Sequence, residues 1–305
     1  MKKIAISIGD LNGIGLEIAL RSHEQISQWC EPIYCIDPTM LSWGAAVLNI
    51  EIPQDLHVIP CKGVFEITPG VATKASGEAS YHSFLKALEL VQSGQADALV
   101  TLPINKEAWQ MATIPYRGHT DALDHLLGEK AIMMLGCKSL YVALYTHHIP
   151  IKDVPKQITK KALNKFLLRT YEALHVKPIG VLGLNPHAGD GGVIGKEDRR
   201  IAKAIQKANE ILGEEIFIGP LVPDTAFTPN NLVQMSHFVS MYHDQGLIPV
   251  KTLYFEESIN VSLGLSIIRT SVDHGTAYDI AYKNESPSTK SYQNAILKAL
   301  FLALD

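Results

Sequence analysis

Three histidines stand where a chain places groups that do chemistry. His148 lies in Tyr145-Thr-His-His-Ile-Pro150, His187 in Gly183-Leu-Asn-Pro-His-Ala-Gly189 and His243 in Met241-Tyr-His-Asp-Gln-Gly246. Each follows an apolar run, so each projects from the carboxyl end of a strand. Converging there, three imidazoles would bind a divalent metal and leave positions open for a substrate. Neutral ligands leave the double charge of the metal uncompensated, which favours binding of a developing alkoxide. One of them alone would read as an ordinary histidine with a satisfied hydrogen bond. The repetition of one context, flanked by Gly, Pro and Asp, singles the three out. By sequence alone His147 is as open a choice as its neighbour, whereas His23, His57, His82, His125, His175 and His237 have no such setting.

Other sets have chemistry suited to anions. Lys251, Asn260 and Arg269 are spaced nine apart. Two cations and an amide suit a phosphate or carboxylate clamp, although on their own Lys251 and Arg269 read rather as solvated surface charges. In Gly118-His119-Thr120-Asp121 a polar turn opens a helix. Such a turn binds an anion through backbone N–H groups, or Thr120 merely caps the helix. Gly13-Ile14-Gly15, with Asp37 at the next strand end, has the outline of a dinucleotide-binding loop, but the third glycine is replaced by Ile18. A two-glycine loop serves any tight strand-to-helix turn, and that is the favoured reading. Glu17 and the helix N-terminus face the carboxyl edge, where the loop could still touch a ligand.

These residues need a scaffold, and apolar periodicity supplies one. Strand-like runs fall at Lys3–Ile8, Ile33–Ile36, Ala98–Thr101, Tyr141–Tyr145, Ile179–Leu184 and Phe238–Tyr242. Helical spacing falls at Ile14–Gln28, Ser80–Gln92, Lys160–Leu174, Lys196–Leu212 and Ser291–Leu304. Repeated alternation of the two predicts an α/β fold, a largely parallel sheet with helices on both faces and ligands beyond the carboxyl ends of the strands. The 305 residues favour two lobes over one sheet, with no linker or internal repeat to mark a boundary.

Composition narrows the function classes. Hydrophobic residues make up 47% and charged residues 19%, the profile of a globular chain. A net charge of −4, with no Lys/Arg run, argues against a nucleic-acid binder. The apolar run after Met1-Lys2-Lys3 ends at Gly9 and Asp10, too short for a signal peptide or a membrane span. Four cysteines without a CxxC pair read as reduced cytosolic thiols, so a cytoplasmic chain without membrane or nucleic-acid partners is expected.

Asp273-His-Gly-Thr-Ala-Tyr-Asp-Ile-Ala281 resembles the His-Gly-Ser/Thr-Ala-x-Asp-Ile-Ala segment that lines the adenine-nucleotide pocket of isocitrate and isopropylmalate dehydrogenases. Gly183–Gly189, Gly219-Pro-Leu-Val-Pro-Asp-Thr225 and Tyr242-His-Asp-Gln-Gly246, with that segment, resemble the 4-hydroxythreonine-4-phosphate dehydrogenases, in the same order from Gly9-Asp10 to Ala281. The resemblance implies a two-lobed α/β/α sandwich of the isocitrate/isopropylmalate dehydrogenase type, its active site in the cleft between lobes of roughly 1–130 plus 270–305 and 131–269. It implies that His148, His187 and His243 bind a divalent metal (Zn, Mg or Co), with His148 preferred to His147 because an aliphatic residue and Pro follow. His119, Thr120, Lys251, Asn260 and Arg269 would bind a phosphorylated substrate, and His274, Gly275, Thr276, Ala277 and Asp279 NAD or NADP. The family is a homodimer with shared sites, His148 and His187 coming from one subunit and His243 from the other.

The implied reaction oxidises a secondary hydroxyl of 4-phosphohydroxy-L-threonine to a β-keto acid, which decarboxylates to 3-amino-2-oxopropyl phosphate in pyridoxine phosphate biosynthesis. Asp224 and Asp244 are candidates for orienting an imidazole or moving a proton, with capping or a structural hydrogen bond the equal alternative, and Lys106 is a weaker candidate. The chain departs from the family at Leu11, Asn12, Leu16, Leu102, Asp190 and Val193. None of these is a proposed ligand, but the loop at Asp190 bears on substrate choice. The alternative is a paralogous dehydrogenase for phosphothreonate or a diol.

Overall fold

The structure, a computed structural model, describes residues 1–283 and 285–304. Apolar runs of β-branched and aliphatic residues form the strands, and the side chains of Asp37, Thr73, Asn105 and Thr159 cap the helices that follow them. In chain order the first stretch is β1 (Lys3–Ser7), α1 (Gly15–Ile26), β2 (Glu31–Cys35), α2 (Pro38–Leu48), β3 (His57–Ile59), α3 (Lys74–Gln92), β4 (Ala98–Thr101), α4 (Lys106–Met111) and α5 (His119–Leu127). There follow β5 (Ile132–Cys137), β6 (Leu140–Leu144), α6 (Val154–Gln157), α7 (Lys160–Leu174), β7 (Ile179–Leu182), α8 (Glu197–Leu212), β8 (Phe217–Leu221), α9 (Pro229–Gln234), β9 (His237–Ser240) and α10 (His243–Tyr254). The chain ends with β10 (Ile259–Leu263), β11 (Arg269–Val272) and α11 (Lys290–Leu302). No helix among the described residues is long and apolar enough to cross a membrane.

The chain divides into two compact units. The first is Met1–Ala131 together with the chain from Ile259 onward, and the second is Ile132–Ser258. In the first, the strand order is β3-β2-β1-β4-β11-β10. All neighbours are parallel except the β10–β11 pair. The loops after β1, β2, β3, β4 and β11 therefore leave from one edge, and Asn260, near the start of antiparallel β10, lies at that same edge. In the second unit the order is β5-β6-β9-β7-β8, parallel from β6 to β8, with β5 antiparallel to β6.

Each unit has its own core. Phe84, Leu88, Leu99 and Trp109 pack together in the first; Leu140, Val142, Leu182 and Phe238 do so in the second. The periodicity placed the start of α3 at Ser80, but the helix begins six residues earlier, where Thr73 and Ser76 form a reciprocal cap. Within those six residues Ala75, Ser76, Gly77 and Ala79 are small, and at Gly77 α4 lies almost against the backbone of α3. A Cβ on Gly77 would come 2.1 Å from the carbonyl oxygen of Ala108. Just beyond, the Trp109 indole N–H donates to Ser80 Oγ at 2.9 Å.

Ala in place of Gly77 would gain about 1 kcal/mol in helix propensity, but its methyl meets backbone, which cannot rotate away. Gly77→Ala is expected to destabilise the chain by roughly 1–2 kcal/mol net, read as a lower urea midpoint at unchanged slope. A midpoint at or above that of the unmodified protein would contradict this packing.

Candidate functional site

In the second unit, the loops after β6, β9, β7 and β8 carry His148, His243, His187 and Asp224, all at one carboxyl edge. The strand order decides which side chains meet. β6 and β9 are adjacent, and the rings of His148 and His243 stand 5.6 Å apart, centroid to centroid. His147 stands edge-on to His148 at 5.0 Å, their Nδ1 atoms 3.4 Å apart. β7 lies one strand further on, roughly 10 Å from β6 by ordinary strand spacing. Among the described residues no group of three His, Cys, Asp or Glu side chains lies close enough together to hold a metal ion. Within one chain the imidazole beside His148 is that of His243. The donors are right in kind for a divalent ion, but one chain gathers two of the three.

His243 opens α10, and its Nδ1 lies 2.7 Å from the Asp244 carboxylate, the contact by which a carboxylate fixes the tautomer and orientation of an imidazole. Asp224, in the turn after β8, is exposed and has no hydrogen-bond partner among the described residues. Lys251 lies further along α10, its ammonium 5.3 Å from the centre of the Phe255 ring.

His187 sits in an unusual turn. Six consecutive residues, His187 to Gly192, have positive φ, between 42° and 102°. Three are not glycine, and the left-handed conformation costs such residues roughly 1–2 kcal/mol each. A buried carboxylate holds the turn in place. Asp198 accepts from the Leu184 N–H at 2.7 Å, the Asn185 N–H at 3.4 Å and Asn185 Nδ2 at 2.6 Å. Arg199 Nη2 donates to the Gly191 carbonyl at 2.6 Å.

In the first unit, a row of polar side chains crosses a buried sheet face. Ser7, Thr101, Ser271 and Asn260 are register partners on β1, β4, β11 and β10. Arg269 lies one pleat below, paired with Leu99 and Ser262. Its side chain runs along the sheet towards the carboxyl edge of β4, where Nη2 donates to Thr101 Oγ1 at 2.7 Å and Nη1 to Ser262 Oγ at 3.1 Å. The residue is 2% exposed. Its Nε and the nearby Asn260 Oδ1 are buried without a hydrogen-bond partner. No carboxylate pairs with it among the described residues, and burial pushes the guanidinium pKa down to about 10, so it stays charged at neutral pH.

His119, first residue of α5, packs its ring against Phe84 and Trp109 with centroids 5.1 and 5.4 Å away. Burial, and then the Arg269 charge, hold its pKa well below the ordinary value, and Nε2 has no hydrogen-bond partner. Gly118 precedes it as a helix cap without a side-chain bond, so Thr120 is not the cap. Lys106 comes alongside, its Cε 3.8 Å from where a Cβ on Gly118 would stand.

The segment 273–281 follows β11 and is laid across the first loop. The Ile14 N–H donates to the Thr276 carbonyl at 3.1 Å, and a Cβ on Gly13 would meet that oxygen at 2.7 Å. A Cβ on Gly15 would come 2.5 Å from the Ile8 carbonyl oxygen. The two glycines are thus required by protein packing, with no dinucleotide needed to explain them. Asp37 accepts from the N–H groups of Thr39 and Met40 as the cap of α2, and Glu17 is buried against Arg21 at 2.8 Å. Asp10, which the sequence reading gave no role in a site, ties loop to segment. Its carboxyl accepts from the Asn12 N–H at 2.9 Å, Ser76 Oγ at 3.1 Å and the Tyr278 hydroxyl at 2.8 Å, and burial raises its pKa. Within the segment His274 Nδ1 lies 3.0 Å from the Gly275 carbonyl oxygen. A Cβ on Gly275 would meet open space, Ala277 has φ 45°, and Asp279 is exposed.

Thr101, Ser262 and Asp198 were also missed. Their only sequence signal is a hydroxyl at a strand end, or an acid in a helix's first turn.

Residues 28–299 match the family described as pyridoxal phosphate biosynthetic protein PdxA. A 4-hydroxythreonine-4-phosphate dehydrogenase of Campylobacter fetus subsp. fetus is 53% identical over 303 residues, covering 99% of this chain and 98% of the relative. A crystal structure of 4-hydroxythreonine-4-phosphate dehydrogenase from Klebsiella pneumoniae superposes with a TM-score of 0.86 at 30% identity, covering 100% and 98% of the two chains. A β-decarboxylating dehydrogenase from Thermococcus kodakarensis, 13% identical, shares the fold with a TM-score of 0.53, over 99% of this chain and 84% of its own.

Two outcomes follow from this geometry. Asp198→Ala leaves the Leu184 and Asn185 N–H groups behind the His187 turn without their acceptor, while Asn185 Nδ2 keeps Glu197 Oε2, and is expected to destabilise the chain by on the order of 2–3 kcal/mol; an unchanged urea midpoint would show that the turn stands without it. His119 is held neutral in the folded chain, so its stabilising contribution is present above the unfolded pKa of about 6.5 and is lost as pH falls. Between pH 7 and pH 5, His119→Gln should lose less thermal stability than the unmodified protein. An equal loss in both would show that the ring is not held neutral.

Proposed function

The chain belongs to the pyridoxal phosphate biosynthetic protein PdxA family, and on that premise we propose that it oxidises 4-phosphohydroxy-L-threonine with NAD or NADP. The secondary hydroxyl gives up its proton while the carbon beneath it gives a hydride to the nicotinamide. The resulting β-keto acid loses carbon dioxide and leaves 3-amino-2-oxopropyl phosphate, a step in pyridoxine phosphate biosynthesis.

The observation that carries this reading is the buried, uncompensated guanidinium of Arg269 with a free donor at Nε, next to a free acceptor at Asn260 Oδ1. A charge so placed is costly without an anion, and the substrate brings two anionic groups together with hydroxyl and ammonium donors. His119 and Thr120 extend this set at the uncapped start of α5, where backbone N–H groups favour an anion, and Lys251 supplies a second cation. His274, Gly275, Thr276, Ala277 and Asp279 are the proposed cofactor segment, held by the Asp10 clasp.

His148 and His243 are two ligands of the proposed divalent metal (Zn, Mg or Co), with His187 the third. A metal there would stabilise the developing alkoxide. A homodimer with shared sites, in which each subunit contributes ligands to both, is part of the proposal. Asp244 holds the His243 ring, while Asp224 is free to accept a proton. Four free cysteines suit a reducing cytoplasm.

The test follows NADH or NADPH absorbance with 4-phosphohydroxy-L-threonine, phosphothreonate and a cis-dihydrodiol as substrates. Turnover on the first is expected, with loss after chelation and recovery on adding Zn²⁺, Co²⁺ or Mg²⁺. Arg269→Ala should weaken substrate binding by on the order of 10- to 100-fold, the equivalent of about 1.5–3 kcal/mol. Preference for either other substrate would overturn the substrate assignment, and full turnover of metal-free protein the metal.

A further inference from the structure

We propose that Thr101 and Ser262 are positioning residues, whose hydroxyls fix the Arg269 guanidinium so that its remaining donors meet the anionic substrate. This rests on the reading of Arg269 given above. Neither hydroxyl touches a reacting atom, and both act through the arginine.

The register makes the geometry specific. Arg269 is paired with Leu99, yet its Nη2 bonds to Thr101, two residues further along β4. The side chain is therefore extended up the sheet, and its charge sits at the last residue of β4, where the strand gives way to the loop leading to Lys106. Ser262, directly opposite Arg269 on β10, holds Nη1 from the other side. With both Nη atoms held by side chains on flanking strands, Nε is left without a protein partner.

The chemistry of the two supports explains why they are hydroxyls. A carboxylate at either position would neutralise the guanidinium and compete with the ligand for it. A hydroxyl oxygen accepts the N–H bond without taking away the charge. The positive charge therefore remains available to the anion, while the long side chain loses the freedom that would otherwise have to be frozen on binding. Thr101 is fully buried and Ser262 nearly so, so bulk water does not readily replace either acceptor.

The experiment compares Thr101→Val, which keeps the shape and removes the acceptor, with Thr101→Ser, which restores it. Calorimetric Kd for 4-phosphohydroxy-L-threonine and steady-state KM and kcat are measured, and thermal melts confirm folding. Thr101→Val is expected to raise Kd and KM about tenfold, ~1.4 kcal/mol, with kcat changed by less than about threefold, and Thr101→Ser to return both constants to within about twofold of the unmodified protein. Ser262→Ala reads the same effect through Nη1 should the valine variant fail to fold.

Unchanged Kd in Thr101→Val and Ser262→Ala, while Arg269→Ala loses affinity, would overturn the positioning role and leave the functional reading standing. A fall in kcat without a rise in KM would overturn it as well. Unchanged affinity in Arg269→Ala would overturn the proposal together with the reading on which it rests.

Discussion

A guanidinium held out of water without a carboxylate beside it sets the terms for the first unit. Removing such a charge from solvent costs several kcal/mol unless its donors find partners. Here two hydroxyls on flanking strands supply them. That arrangement requires β4, β11 and β10 to be neighbours in a fixed register, because a slip of one residue would turn the hydroxyls to the opposite face. It also requires the rest of the unit to be apolar and close-packed enough to offset the cost, as the cluster around Phe84 and Trp109 does. Burial lowers the pKa of His119 and the same charge lowers it further, so one buried cation reaches both sequence motifs thought to bind an anion.

The second unit departs from low-energy backbone instead. Its left-handed turn at His187 places three non-glycine residues in a conformation they avoid, and one buried carboxylate holds it from behind. Strain of this kind persists only where surrounding structure over-determines it. The two units thus hold their candidate residues by different means, a buried charge in one and a constrained backbone in the other.

Much of the scaffold was legible in the sequence, because six of the strands carry apolar runs and five helices show regular spacing. β10 and β11 were not, since neither carries a continuous apolar run: β10 alternates apolar residues with Asn260 and Ser262, and β11 opens Arg-Thr-Ser. α10 was hidden by Gly246 and Pro249, residues that ordinarily argue against a helix. For the site, residue types and loop positions could be read, but contacts could not. Whether His148 meets His243 or His187 depends on β9 lying between β6 and β7, and strand order leaves no local trace. The hydroxyls holding Arg269 were invisible for the same reason, since Thr101 lies 168 residues away from it in sequence.

The first unit is built from both ends of the chain, whereas the second is continuous. On a ribosome that asymmetry becomes an order of events. When residue 131 emerges, β4 is an edge strand whose neighbour β11 will not be made for more than a hundred further residues, and an open parallel edge invites wrong partners. The second unit has all its strands in hand by residue 240 and can close while synthesis continues. The buried arginine is the first residue of the strand that finishes the sheet. Its charge can go under cover only after that strand is made, when Thr101 and Ser262 have already been synthesised.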